Sequence, residues 1–258
     1  MAKRLAAAEN LVEEIESCIE SGESYDTYLE TDERVLARVT DGIYRQPSSA
    51  LRELIANAYD ADAKVVSVTT DAPRFSTIKV SDDGIGMNPD TFANLVEHIG
   101  GSAKRTKRGA KLGITAKKDP TRSNGGRRLI GKIGIGLFSV AQLTRQFVII
   151  TKTEGSNYQL IAHVTLNRFD EVDLAKVDED NPFRAGSVRI WSEKTADKKG
   201  HGTTIILTAL CRVWSISFRV VMFGQPWPRK KVPRVPGSAS RPCGISGRST
   251  RKIPNQCF

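Results

Sequence analysis

Apolar positions recur every three or four residues along 3–20, where Leu5, Leu11, Val12, Ile15 and Ile19 share one side of a charged amphipathic helix. The period then loosens, and residues 30–41 read as a second helix or an irregular lead-in. From about Ala50 to Ala61 the helical period returns, with Leu51, Leu54, Ile55 and Ala58 as its stripe, Ser48 or Ser49 as a candidate cap and Glu53 in its first turns. A change to β-branched composition marks Lys64–Thr70 as a strand, and Ser76–Ser81 pairs with it across a Pro-containing turn. Asn88-Pro89-Asp90 opens a further helix, with an N-cap and Pro at the first position, and Gly100-Gly101 stops it.

Residues 101–131 carry no period. They are rich in Gly, Lys and Arg with a single acid, Asp119, and are expected to form a long loop of the kind used as a functional lid. Ile133–Arg145 reads as helical, with Phe138, Ala141 and Leu143 available to pack. Four strand-like runs follow at 147–152, 158–166, 186–191 and 203–208, the first two joined by the hairpin signal Glu154-Gly155-Ser156-Asn157. Helices early and antiparallel strands late indicate an α+β fold, a two-layer α/β sandwich with a mixed, mostly antiparallel sheet and helices on one face, and not a doubly wound sheet.

Composition changes this picture mainly at the C-terminal end. Of the 39 Lys and Arg, ten lie in residues 211–258, which contain no Asp or Glu, so residues 1–210 balance 29 basic against 29 acidic residues. The same stretch holds three of the four cysteines and six of the eleven prolines. One reading is a basic arm for nucleic acid. The other is a foreign tail, because the change at Leu210–Cys211 is abrupt and resembles out-of-frame translation of a GC-rich gene; overall charge is therefore no guide to a nucleic-acid partner. Three regions are expected: a helical extension over 1–29, a main domain over 30–210 and the basic tail over 211–258. The cysteines at 18, 211, 243 and 257 have neither metal spacing nor a disulfide framework. No apolar run approaches the roughly 18 residues a membrane helix needs, and the N-terminus turns acidic too soon for a secretory signal, so no membrane association and a cytoplasmic location are expected.

Candidate chemistry lies in four places. In LRELIANAYDADA, Glu53, Asn57 and Asp60 fall at i, i+4 and i+7 and share a helix face, which taken alone reads first as a solvated polar face. In SDDGIGM, Asp82 ends a strand and Gly84 and Gly86 permit close backbone approach, or simply make a turn. GGRRLIGKIGIGLFS, residues 125–139, almost spells a P-loop from Gly126 to Lys132 but has Ile133 where a magnesium-binding hydroxyl belongs. Its Gly131, Gly134 and Gly136 sit where a helix begins, and free amides with a helix dipole there suit an anion. The fourth is Gly202-Thr203, entering a strand.

In this order and spacing the four segments resemble the boxes of the GHKL ATPase superfamily, which includes gyrase B-type topoisomerases, ninety-kilodalton heat-shock chaperones, histidine kinases, MutL-type repair proteins and the related MORC proteins. The resemblance covers roughly residues 30–210. IGKIGIGLFS is most similar to the chaperones, whereas the DADA sequence leans towards MutL and MORC. It implies a Bergerat-type ATP-binding fold with a lid at about 101–131 and the cofactors ATP and Mg2+. Glu53 would be the general base that polarises water, and Asn57 would bind magnesium. Asp60 belongs to the same box. Asp82 would accept a hydrogen bond from the adenine amino group and Gly84 would belong to its glycine box. Gly86 would make room for the base, Met87 would pack on it, and Thr203 would add a hydroxyl. The amides of Gly131, Lys132, Ile133, Gly134, Ile135, Gly136, Leu137 and Phe138 would cradle phosphates, with Ser102 and Lys104 closing over the nucleotide.

The resemblance also implies a limit. Efficient relatives borrow a lysine or arginine from a following transducer domain, and the recognisable chain stops near Leu210, so slow hydrolysis by a nucleotide-driven conformational switch is expected. An ATP-dependent homodimer and a client protein or DNA are the implied partners. Two rival readings are a histidine-kinase-like phosphotransfer domain and a nucleic-acid-binding module using the basic tail. The kinase reading is weakened by the presence of Glu53 and by His98, His163 and His201 lying outside any phosphoacceptor helix.

Overall fold

The computed structural model describes residues 2–31, 47–97, 114–131, 139–167 and 183–210. Its elements in chain order are helix α1 (Ala2–Ser21), strand β1 (Tyr25–Thr31), helix α2 (Pro47–Asp60), strands β2 (Val66–Thr70) and β3 (Ile78–Asp82), helix α3 (Pro89–Glu97), a 3-10 turn (Val140–Gln142), and strands β4 (Gln146–Lys152), β5 (Tyr158–Leu166), β6 (Phe183–Lys194) and β7 (Gly202–Thr208). The strands form one seven-stranded sheet in the order β1-β6-β5-β4-β7-β3-β2. Every neighbouring pair is antiparallel. The α+β class and layered arrangement expected from the sequence are therefore present.

Alternation in the strands creates the core. Ile78 and Val80 of β3, Leu207 of β7, Phe147 and Ile149 of β4, Leu160, Ala162 and Val164 of β5 and Val188 and Ile190 of β6 are all buried in one cluster. Onto this face the helices deliver Leu11 and Ile15 from α1, Ala50 and Leu54 from α2 and Phe92, Ala93 and Val96 from α3. Burying a side chain of this size is worth roughly 1.5–3 kcal/mol, so this shared surface, more than helix propensity, fixes where each helix lies. Cys18 is buried in α1 as a free thiol.

Several boundaries differ from the sequence reading, each for a local reason. Residues 30 and 31 belong to β1, and the remainder of the expected helix or lead-in over 30–41 lies outside the described residues. The expected boundary between residues 29 and 30 falls inside β1, and Leu11, Ile15 and Leu29 share the core of the main sheet. Helix α2 begins at Pro47, so Ser48 and Ser49 sit in its first turn and do not precede it. Pro at this first helical position costs no hydrogen bond. Asn88 does cap α3: its Oδ1 accepts from the N–H of Thr91 at 2.9 Å. Of the helix expected over 133–145, residues 133–138 lie outside the described residues; Ser139 is helical and runs into the 3-10 turn, after which the chain leaves the helical path. There the Thr144 hydroxyl bonds to the carbonyls of Gln146 and Thr208, tying the chain to β4 and β7 where another helical turn would begin. The stop at Gly100-Gly101, the first part of the expected lid and the tail over 211–258 lie outside the described residues.

Candidate nucleotide site

One row of the core face is polar. Asp82 on β3 pairs with Thr203 on β7, and Thr203 pairs with Thr151 on β4. Two positions further into the sheet along each strand lie Val80, Ile205 and Ile149, all packed in or against the core. Period-two alternation therefore points these three polar side chains to the same side as the apolar ones. A carboxylate and two hydroxyls close the end of the hydrophobic face.

The row is tightly bonded. Asp82 Oδ1 accepts from the N–H of Gly84 at 2.9 Å and of Thr203 at 3.3 Å, while Oδ2 takes no hydrogen bond from the described residues. Burial pushes the Asp82 carboxyl above its ordinary 3.8; the Gly84 and Thr203 amides oppose that rise, neighbouring Asp83 adds to it and His201 offsets it. Thr151, 1% exposed, accepts from the N–H of Met87 at 2.9 Å and lies 3.1 Å from the Thr203 hydroxyl. His201 Nδ1 meets the Gly84 carbonyl at 2.7 Å, closing the loop from the other side.

The glycines are needed for close approach within the fold. Gly86 has φ of +70°, and a Cβ there would overlap the carbonyl of Lys152 on β4. Gly202 has φ of +127°, and a Cβ would meet the carbonyl of Asp82. Gly84 packs on Ala61, just beyond α2, and the N–H of Ile85 donates to the Ala61 carbonyl at 3.0 Å. The loop after Asp82 thus links the strand end of the site to the end of α2. Met87 is half-buried and packed against the core, beside the polar row.

On α2, Glu53 and Asn57 are half-buried while Asp60 is only 3% exposed. The face is therefore not a uniformly solvated one. Glu53 takes no hydrogen bond or ion pair among the described residues. Asp60 is committed to backbone: its two oxygens accept from the N–H of Ile130 at 2.9 Å and of Gly131 at 3.0 Å. Asp62 does the same one step on, accepting from the Ser123 hydroxyl at 2.5 Å and the Gly125 N–H at 2.7 Å. Arg127 donates to the Ala63 carbonyl at 2.6 Å and stacks over the Tyr59 ring at 5.0 Å. Residues 121–131, expected to be part of a lid, are thus clipped to the end of α2.

The structure therefore gathers Asp82, Gly84, Gly86, Met87 and Thr203 at the strand end, and Asp60 with Gly131 at the helix end, on the helix that carries Glu53 and Asn57. Ser102, Lys104 and Lys132, Ile133, Gly134, Ile135, Gly136, Leu137 and Phe138 lie outside the described residues. The sequence reading missed Thr151 as a member of the row, and Asp62 and Arg127 as loop clips. Among the described residues, no three His, Cys, Asp or Glu side chains gather as a metal cage, and no helix is long and apolar enough to cross a membrane.

A half-buried carboxylate, one of whose oxygens takes no hydrogen bond among the described residues, stands beside two hydroxyls, and a glycine loop joins it to the end of the helix bearing Glu53 and Asn57. The chain matches the family described as histidine kinase-, DNA gyrase B-, and HSP90-like ATPase over residues 44–203, and it belongs to that family. It is similar to chloroplastic heat shock protein 90-5 of Arabidopsis thaliana, 28% identical over 184 residues, covering 65% of this chain and 23% of the relative. It is also similar to the chaperone protein HtpG of Bacillus licheniformis, 30% identical over 191 residues, covering 67% of this chain and 26% of the relative. A shorter likeness, 41% identity over 66 residues, joins it to the DNA mismatch repair protein MutL of Rhizorhabdus wittichii, covering 25% of this chain and 11% of the relative. The chain spans about a quarter of the length of the two chaperone relatives. Membership makes this an ATPase-family domain of the chaperone and MutL type, and implies ATP binding.

Proposed function

We propose that the chain binds ATP with magnesium, hydrolyses it slowly and uses the nucleotide as a conformational switch. The observation that supports this reading is Oδ2 of Asp82, a half-buried acceptor at the edge of an apolar face that takes no hydrogen bond among the described residues. Such a group favours a ligand with an N–H at that place, as the adenine amino group has and the guanine carbonyl does not. Leaving a buried acceptor unpaired costs about 1–3 kcal/mol, so the mismatch penalises guanine.

At the other end Glu53 is the general base. Its carboxylate has no competing partner among the described residues, so it can orient a water molecule and take the proton as the oxygen attacks the terminal phosphorus. Asn57, one helical turn away, would hold magnesium through its amide oxygen. The donor set fits: an amide and a nearby carboxylate, with no all-protein cage among the described residues, suits a cation that keeps water and phosphate oxygens as ligands. Magnesium there supplies charge neutralisation for the phosphates. Asp60, with both oxygens bonded to backbone amides, positions Gly131 and acts on the nucleotide only through that segment. The glycine-rich amides from Gly131 onward are the natural phosphate cradle.

Hydrolysis by the described site without the transducer-domain Lys or Arg that the resemblance implies for efficient relatives would be slow. An ATP-dependent homodimer, acting in the cytoplasm on a client protein or DNA, is the assembly to which the reading extends. Titration calorimetry with ATP and GTP, with and without magnesium, tests the core of it. Tight ATP binding, at least tenfold weaker GTP binding and loss of affinity without magnesium are expected; equal affinity for GTP would overturn the assignment of Asp82.

A further inference from the structure

Thr151 lies on β4, in a run of β-branched residues where only its hydroxyl distinguishes it from the valine and isoleucines around it. That hydroxyl is almost wholly buried and has three neighbours: the N–H of Met87 at 2.9 Å, Thr203 Oγ1 at 3.1 Å and the Gly202 carbonyl at 3.3 Å. A hydroxyl has one proton and two lone pairs. A backbone N–H can only donate, so the Met87 contact fixes one lone pair of Thr151 as an acceptor. Its own proton then goes to Thr203 or to Gly202.

The Thr203 contact is the shorter, and it continues a chain in which each hydroxyl accepts from one side and donates to the other. Bonds in such a chain strengthen one another. With Thr151 donating to it, Thr203 keeps its own proton, and that proton points away from Thr151. Beside it stands Asp82, whose Oδ1 is occupied by two amides and whose Oδ2 takes no hydrogen bond among the described residues. The row then offers a fixed pair, a carboxylate acceptor and a hydroxyl donor side by side. An amino group next to a ring nitrogen bearing a lone pair, the N6–N1 edge of adenine, is its complement.

We propose that Thr151 is a specificity-determining positioning residue that aims the Thr203 hydroxyl proton at the ring-nitrogen edge of the bound base. This rests on the reading of the site as an adenine site and deepens it. Thr151 touches no ligand; it acts through Thr203, and through Met87 it ties the direction of that proton to the seating of the glycine loop.

The test compares ATP with 1-deaza-ATP, in which the ring nitrogen is replaced by C–H, using calorimetry on the full chain with magnesium. The unmutated protein should bind ATP about fivefold more tightly, the worth of one net hydrogen bond. Thr151→Val should weaken ATP by a similar factor, leave 1-deaza-ATP unchanged and bring their ratio to about one, whereas Thr151→Ser should restore the ratio. Equal affinities of the unmutated protein for the two nucleotides would overturn the proposal without any variant. So would equal weakening of both by Thr151→Val, or failure of Thr151→Ser to restore the ratio. If the unmutated protein binds neither nucleotide, the ATP reading itself falls; binding without discrimination removes the relay alone.

Discussion

The two ends of the site are built from different materials. At the strand end, Asp82, Thr203 and Thr151 stand on three adjacent strands, and their spacing is set by ladder register over the whole sheet. At the helix end, the segment leading to Gly131 has, among the described residues, no ladder beyond the isolated bridge between Arg122 and Arg128. It is held by carboxylates, Asp60 and Asp62, which take its amides as a helix takes a capping residue. The difference teaches where precision and movement each reside. Ladder-borne groups can be altered one at a time without moving their neighbours, whereas loss of a clip releases backbone.

This contrast can be broken most sharply by chemistry. Glu53→Ala removes the proposed base without breaking any hydrogen bond or ion pair among the described residues, so single-turnover hydrolysis should fall on the order of a thousandfold while ATP affinity stays within about twofold. Normal turnover would remove Glu53 from the mechanism. Next in size, Asp82→Asn should weaken ATP on the order of a hundredfold by calorimetry, since it replaces the acceptor for a hydrogen bond to a charged group. Its side-chain oxygen can still accept from Gly84 and Thr203, so circular dichroism should be unchanged.

A clip should behave oppositely. Asp60→Ala orphans the amides of Ile130 and Gly131 and should cost about 2 kcal/mol in chemical denaturation, with faster hydrogen exchange at those two amides. Asp82→Asn should leave that exchange unaltered. If both variants changed it equally, the two ends would be one mechanical unit.

The smallest effect is in pH. Folded Asp82 holds its proton more tightly than the unfolded chain does, so between the ordinary 3.8 and its raised value the folded state binds more protons. Stability should therefore fall as pH rises through that window, and Asp82→Asn should flatten this part of the stability profile. Nucleotide affinity should move the other way, fading as the carboxylate protonates. A profile identical in wild type and variant would mean Asp82 is not the titrating group.

Sequence reading was strongest where one face repeats. The bounds of β5 coincide with the apolar-rich run at 158–166, and β3, β7 and the loop after β3 carry five of the candidate residues, Asp82, Gly84, Gly86, Met87 and Thr203. It was weakest where the signal is thin or distributed. Strand β1, YDTYLET, has one fully buried apolar residue, Leu29, and its polar alternation looks like a linker until β6 pairs with it. Thr151 is a favourable β-former in a β-forming run, and only the cross-strand register makes its hydroxyl informative. Asp62 stood in plain view within DADA, but its partners are more than sixty residues away, a contact no local period encodes.

The polar row ends an otherwise apolar face, so a nucleotide base bound there as proposed would extend the hydrophobic core. A ligand in that place belongs to the fold as much as to the reaction. Bound only by the native form, at a hundred times its dissociation constant it would add about 2.7 kcal/mol to the unfolding free energy, a large share of what holds a typical domain together. Falling nucleotide would then act on this chain twice: it would silence the switch, and it would shorten the life of the protein that carries it.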